Sequence, residues 1–143
     1  MDAALLKQLE RATFASSSAL THSRLKHFAS MAQTSEDHIS RIGLGLSIAM
    51  GPYPASTTIA QVEREPPVSV LKEKQIKGGT LLKHDGIVLL AMMAVLEPCE
   101  GYEAWRRLIV AHWERGVQRL AEVAEGATDW LHVLNALEST SGR

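Results

Sequence analysis

Two segments without a polar face constrain this chain more than any other feature. They are Ile42–Met50, in which Ser47 is the one hydroxyl residue, and Ile87–Leu96, in which every residue is apolar. A helix on the surface of a small monomer normally has a single apolar stripe, and a small domain has few positions that enclose a whole helix. We therefore expect both helices to be buried where copies of the chain meet, with a monomeric core around one of them as the alternative. Both are shorter than the roughly 18–20 residues of a membrane span, so no membrane partner is expected.

Glycines inside the first of these segments point to close helix packing. Gly43 and Gly45 each cost about 1 kcal/mol in a helix relative to alanine. Close approach of another backbone across a symmetric interface would offset that cost. The predicted oligomer interface consists of Gly43, Gly45, Leu46, Leu89, Met92 and Met93.

The whole pattern predicts a mainly α, compact single domain over residues 1–143. Thr13–Ser16 is compatible with a short strand or an extended link. Residues 51–69 hold four of the five prolines and are expected to be irregular, and residues 68–82 favour a small hairpin or two short extended pieces. Helices are expected between capping residues and glycine or proline breakers. The first helix has Leu5, Leu6 and Leu9 on one face. The second runs from Ser17 or Ser18 to about Ala32, and the third, capped by Thr34 or Ser35, runs from about Glu36 to Met50. Three more are expected, from Gly86 to about Glu97, from about Tyr102 to Ala124 and from Thr128 or Asp129 to about Glu138.

Charge is nearly balanced overall but is divided unevenly along the chain. The net charge of −1 excludes a polycationic, tail-driven nucleic-acid binder. The first 85 residues hold 10 basic and 8 acidic residues, whereas residues 86–143 hold 5 basic and 8 acidic ones. Any nucleic-acid face is therefore expected in the first 85 residues. The candidate DNA-binding residues are Arg24, Lys26, Arg41, Lys72, Lys74, Lys77 and Lys83.

Four of these residues, Lys72, Lys74, Lys77 and Lys83, surround a glycine pair. Gly78-Gly79 lies between Lys77 and Lys83. A glycine turn exposes backbone N–H groups, and flanking ammonium groups add positive charge, so such a segment suits phosphate. The alternative is a solvated hairpin edge, where lysines discourage strand pairing.

Histidine and cysteine give no recognised metal or nucleophile pattern. The chain has six histidines and one cysteine, without a CxxC, HExxH or GxSxG motif, so no metal and no cofactor is expected. His112–Gly116 permits two interpretations, a catalytic histidine or a satisfied core or interface group, of which the second is commoner. No catalytic residue is predicted, and enzymatic activity stays an open question. The lone Cys99 cannot form an intrachain disulfide, and residues 1–11 lack a signal-peptide pattern, so a cytoplasmic location is expected.

The order of motifs is similar to a known family. SEDHISRIGLGLSIAMGP is followed by IKGGTLLKHDGIVLLAMMAV and then by LIVAHWERGVQRLAE. The matching positions are Arg41 before the apolar helix ending Leu46-Ser47, Gly79-Thr80-Leu81 before the second apolar helix, and His112 with Arg115-Gly116 and Leu120. Over about residues 14–123 the chain resembles the DndE-type small subunit of bacterial DNA phosphorothioation (sulfur-modification) systems. The segments outside that core look like helical additions.

The resemblance implies a helical subunit with a ribbon–helix–helix-like start that assembles into a homotetramer. It further implies binding of double-stranded DNA, with nicked DNA favoured, and partnership with the sulfur-transfer and ATPase subunits of the modification complex. Where the family tends to have a basic, glycine-bearing turn, this chain has residues 29–33, ASMAQ, which shifts weight to Arg24, Lys26 and the Lys72–Lys83 segment. The leading hypothesis is contact with the DNA backbone without base readout. The alternatives are a nickase using Glu36-Asp37 or His112, and a protein-only structural adaptor.

Overall fold

The chain folds into a mainly helical domain with one small sheet. The computed structural model describes residues 3–16, 19–53, 73–84, 86–97 and 100–141. Its elements in chain order are α1 (Ala3–Arg11), β1 (Thr13–Ala15), α2 (Ala19–Ala32), α3 (Glu36–Ala49), β2 (Gln75–Lys77), α4 (Gly78–Leu81), α5 (Gly86–Leu96), α6 (Tyr102–Val123) and α7 (Trp130–Ser141). The predicted mainly α class is confirmed, as is the short strand near the N-terminus.

Helix ends follow the local chemistry of the sequence. Ser35 Oγ accepts the backbone N–H of His38 at 3.1 Å and so caps α3, which ends before Gly51 at φ +101°. Asp129 Oδ1 accepts the N–H of His132 at 2.9 Å at the start of α7. These caps confirm two predicted helix starts. The predicted caps at Ser17 or Ser18 lie outside the described residues, as do residues 54–72.

The two strands pair with each other, although they are far apart in the chain. β1 and β2 are antiparallel with Phe14 opposite Ile76, and both of these side chains are buried. The segment after β2 does not return as a second hairpin strand. It turns directly into α4, where Gly78 donates its N–H to Ala12 O at 2.8 Å. A Cβ at Gly78 would lie 1.8 Å from Leu9 O, so only glycine fits there.

The core is organised around the packing of α3 on α6. Their closest approach is at two glycines, because a Cβ on Gly116 would lie 1.6 Å from the carbonyl oxygen of Gly43. The expectation that Gly43 allows close backbone approach is met inside the chain, against α6, rather than by a second copy. Buried aromatic and aliphatic side chains flank this crossing, among them Leu44, Ile48, Ile109, Trp113, Val117 and Leu120.

Helix α5 is the exception to this enclosure. Leu90 and Met93 lie on the core, so Met93 is a core residue of its own chain. The opposite face is open, with Val95 82%, Ile87 62%, Val88 59% and Met92 43% exposed. Of the other predicted interface residues, Gly45, Leu46 and Leu89 are half-buried. In the part of the chain that the structure describes, none of the helices has the length and apolar character needed to cross a bilayer.

Candidate functional site

The structure separates the predicted DNA-binding residues into three places. The first is the start of α3, where Glu36 is surrounded by cations. His22 Nε2 lies 3.0 Å from Glu36 Oε1, and Lys26 Nζ lies 3.9 Å from Oε2. Lys74 Nζ lies 3.5 Å from Glu36 Oε1 and 3.2 Å from Asp37 Oδ1. Two lysines and two carboxylates therefore leave this cluster close to neutral when His22 is unprotonated.

The second place is the short helix α4, which basic side chains flank. Arg41 reaches from α3 and donates from Nη1 to the carbonyl oxygen of Thr80 at 3.2 Å. Lys77 precedes α4, Lys83 follows it, and both are exposed. Among the described residues, no acidic side chain forms an ion pair within 4.0 Å with either lysine. We call Arg41, Lys77 and Lys83 the α4 cluster.

The third place contains one of the predicted DNA-binding residues, Arg24. Arg24 lines a shallow cavity of about 470 Å³ between α2 and the C-terminal end of α6, together with His27 and Glu125. Lys26 lies two residues along α2 and points instead to Glu36. Lys72 lies outside the described residues. The first two places therefore each combine residues from Arg24, Lys26 and Arg41 with residues from the Lys72–Lys83 segment, whereas Arg24 lies apart from both.

A polar network lies deep between α3 and α6, where α3 is otherwise apolar from Ile42 to Met50. Ser47 Oγ and His112 Nδ1 are 2.9 Å apart, and His112 Nε2 is 2.5 Å from Glu97 Oε2. Ser47 and His112 are both 0% exposed. Glu97 directly follows α5, and its N–H donates to Met93 O at 2.8 Å. The network therefore joins α3, α6 and the end of α5.

Arg115 completes this network from the next turn of α6. Its Nε donates to Ser47 Oγ at 2.8 Å, and its Nη2 donates to Ser47 O at 2.7 Å and to Gly51 O at 2.6 Å. Its Nη1 donates to Pro52 O at 3.1 Å. One guanidinium thus satisfies carbonyl groups at the C-terminal end of α3, where a cation is also favoured by the helix dipole. We call Ser47, Glu97, His112 and Arg115 the buried network.

Tyr53 covers the buried network on its outer side. Its backbone N–H donates to Glu97 Oε1 at 2.5 Å. Its ring meets the His112 ring edge to face, with centroids 6.0 Å apart, and Arg115 Cζ lies 5.3 Å from the Tyr53 centroid. We call Gly51–Tyr53 the strap, because these residues run across the network and are held by it.

The hydrogen bonds around His112 fit a neutral ring. Ser47 Oγ accepts from Arg115, so its own hydrogen is free to donate to His112 Nδ1. Nε2 then carries the ring hydrogen and donates it to Glu97. Burial, the main effect, lowers the pKa of His112, whereas its hydrogen bond and charge interaction with Glu97 raise it and the charge of Arg115 lowers it. The neutral Nε2–H tautomer therefore uses every polar atom of the ring.

This arrangement contains a serine, a histidine and a carboxylate, but its serine and histidine are inaccessible to a substrate from solvent. In serine hydrolases the serine bonds Nε2 and the carboxylate bonds Nδ1, whereas the two ring nitrogens are exchanged here. Ser47 Oγ already has two partners and no exposed surface. The geometry therefore supports the interpretation of His112 as a satisfied core group that fixes α3, α5 and the strap.

Sequence reasoning singles out His112 and Arg115 but misses their partners. A signal is present for Ser47, because a hydroxyl in the middle of an apolar helix must find a buried partner. No sequence signal identifies Glu97 or the strap, because both approach His112 from elsewhere in the chain. In the described ranges of the chain, no three or more histidine, cysteine, aspartate or glutamate side chains are grouped so as to hold a metal ion. No protein-family model, no curated protein and no solved structure matches this chain.

Proposed function

We propose that this chain is the DNA-binding subunit of a cytoplasmic DNA phosphorothioate-modification complex. It contacts the backbone of double-stranded DNA, nicked DNA included, without base readout, and its partners are the sulfur-transfer and ATPase subunits. The observation that supports this proposal best is the α4 cluster, in which Lys77 and Lys83 are exposed and no described carboxylate pairs with them. Exposed lysines that form no ion pair are the side chains that phosphate oxygens attract most readily.

The α4 cluster is the primary contact in this proposal, and the lysines near Glu36 are secondary. Lys74 is half-buried between two carboxylates, so a phosphate would have to compete with both of them. Arg41 is held by the Thr80 carbonyl and has further donors on its guanidinium. Lys77, Lys83 and Arg41 can therefore act together on neighbouring phosphates.

A homo-oligomer, a tetramer by resemblance, belongs to the same proposal. The exposed face of α5 carries no charge, so a second copy can pack on it in a symmetric contact without burying an unpaired charge. The three cations of a single α4 cluster would bind DNA weakly. In an oligomer, binding of one copy to DNA raises the effective concentration of the other copies near the same DNA, which raises the overall affinity. The ribbon–helix–helix-like start is proposed for β1, α2 and α3, which follow one another in that order.

The test is a titration of labelled duplex DNA, intact and nicked, at two salt concentrations. The double variant Lys77→Glu/Lys83→Glu should bind more weakly and lower the salt slope by about 1 for each phosphate that the protein ceases to neutralise. Lys7→Glu/Arg107→Glu, at an exposed lysine of α1 and an exposed arginine of α6, is the matched control with the same change of net charge. Equal affinity of the two double variants would contradict the proposed site.

The alternatives make different predictions in the same assay. Absence of DNA binding by the wild-type chain at low salt would favour a protein-only adaptor. Nothing in the geometry favours the nickase, because Lys74 engages Asp37 and Glu36 and the ring of His112 is wholly buried. Strand breaks that depend on a divalent metal and disappear in Glu36→Gln would reverse that conclusion.

A further inference from the structure

The buried network connects a titratable ring in the α3–α6 contact to two segments at the surface. His112 bonds Glu97, and Glu97 holds both the end of α5 and the N–H of Tyr53. His112 also bonds Ser47, which shares Arg115 with the carbonyl groups of Gly51 and Pro52. A change in the ring therefore reaches the strap along two separate routes.

We propose that His112 is a proton-operated latch, in which the neutral ring holds the strap Gly51–Tyr53 and the end of α5 against α6, and proton uptake releases the strap. This goes beyond the proposed function, because it concerns a conformational change that does not involve DNA. The sole chemical step is the transfer of a proton from solvent to Nδ1.

The first reason is that a neutral ring satisfies every hydrogen bond of the network. A proton on Nδ1 would face the hydrogen that Ser47 donates across the 2.9 Å contact. Ser47 would have to turn its hydrogen away, and its oxygen would then accept from both His112 and Arg115. The hydroxyl hydrogen would lose His112 as its acceptor, which is costly for a buried group.

The second reason is the charge distribution around the ring. The charged and titratable groups facing His112 are Glu97 at the end of α5, Arg115 on α6 and Tyr53 in the strap, and Glu114 acts on Tyr53 from α6. In the neutral state Arg115 and Glu97 balance one another. A protonated ring is attracted by Glu97, whose effect on the pKa of His112 exceeds that of Arg115, and it adds a second cation beside Arg115. Repulsion between the two cations favours outward movement of the guanidinium. Arg115 holds the Gly51 and Pro52 carbonyls, so its movement frees the strap.

Amide hydrogen exchange measured by NMR tests the latch on the full chain without DNA. The protection factor of the Tyr53 amide, corrected for intrinsic exchange, should fall by about tenfold or more between about pH 7.5 and about pH 5, in step with the titration of the His112 ring. In His112→Gln, which cannot take up a proton, the protection of Tyr53 should be equal at both pH values. His132→Gln is the matched control, since His132 is an exposed histidine on α7, and it should behave as the wild type.

Two results would overturn the latch. One is a Tyr53 amide that stays protected while the wild-type His112 ring titrates, which needs no variant and so decides the question even if His112→Gln does not fold. The other is a pH-dependent fall of the same size in His112→Gln. Amides of central α6 residues such as Ile109 should keep their protection, and a parallel fall there would mean general unfolding and would also contradict the proposal.

Discussion

The backbone of Gly43 touches the backbone of Gly116 so closely that the Cα of Gly116 has no room for a side chain. A Cβ built there would lie 1.6 Å from Gly43 O, 2.3 Å from its carbonyl carbon and 2.9 Å from its Cα. All three neighbours are backbone atoms, which cannot rotate away as a flexible side chain can. The separation of α3 and α6, and with it the geometry of the buried network, depends on this contact.

Gly116→Ala should therefore destabilise the fold by about 2 kcal/mol or more, since overpacking moves two helices apart. Urea unfolding followed by tryptophan fluorescence measures this change. Gly45→Ala is the matched control, because nothing lies within 4 Å of a Cβ at Gly45. That variant should gain up to about 1 kcal/mol from helix propensity. Equal stability of the two variants would contradict the close contact.

Ser47→Ala removes the central hydroxyl of the buried network. It leaves His112 Nδ1 and Arg115 Nε without their buried partner, so we expect a decrease of about 1–3 kcal/mol in the free energy of unfolding. Ser40→Ala is the comparison, because Ser40 is equally buried on α3 and its Oγ, within the described ranges of the chain, bonds Glu36 O in its own helix at 2.9 Å. That bond is of the kind that slightly weakens helices, so its removal should cost less. A larger effect at Ser40 would disprove this ranking.

Stability should fall in mildly acidic solution because of His112. Burial lowers the pKa of this histidine in the fold below its ordinary value of 6.5. As the pH falls through 6.5, the unfolded chain therefore binds a proton that the folded chain does not. The stability contributed by neutral His112 is complete above about pH 6.5 and declines as the pH falls through the folded pKa. Urea unfolding of His112→Gln at several pH values should show a shallower decline in this window than His132→Gln, and identical pH profiles would contradict the assignment.

A charge on the open face of α5 should disrupt assembly. Val95→Glu places a carboxylate at the centre of the proposed contact between copies, where it would be buried without a partner. Sedimentation velocity should show the wild-type chain as an oligomer and Val95→Glu as a smaller species. Leu131→Glu, at an exposed leucine of α7, should leave the oligomer intact. A wild-type chain that sediments as a monomer at high concentration would contradict the proposed oligomer.

The ends of the helices can be predicted from local chemistry in the sequence. Contacts between residues that are distant in the chain cannot be predicted in this way. Ser35 and Asp129 each need only a neighbour three residues away, so their capping roles can be inferred from the sequence. The sequence favours a hairpin or two short extended pieces over residues 68–82, and the described partner of the strand Gln75–Lys77 is β1, which no local rule identifies. Gly43 is predictable as a close-packing residue, and only the three-dimensional structure names Gly116 as its partner.

The candidate site is predictable to a similar degree. Charge counts show that basic residues are in excess in the first 85 positions, but they cannot reveal that Lys74 forms ion pairs with Glu36 and Asp37. His112 and Arg115 stand out because they are close in sequence. Their joint role depends on Ser47 and Glu97, which lie 65 and 15 residues from His112.

The fit of Gly78 against Leu9 makes the first helix part of the α4 region. Leu9 is fully buried, Ala12 accepts the N–H of Gly78, and β1 supplies the only strand that pairs with β2 in the described chain. A truncation that starts at Ala19 would remove these three supports together and leave an unpaired strand edge beside Lys77. Expression work should therefore keep the N-terminal residues and place an affinity tag elsewhere, since shortening this end would change the surface that the DNA assay is meant to probe.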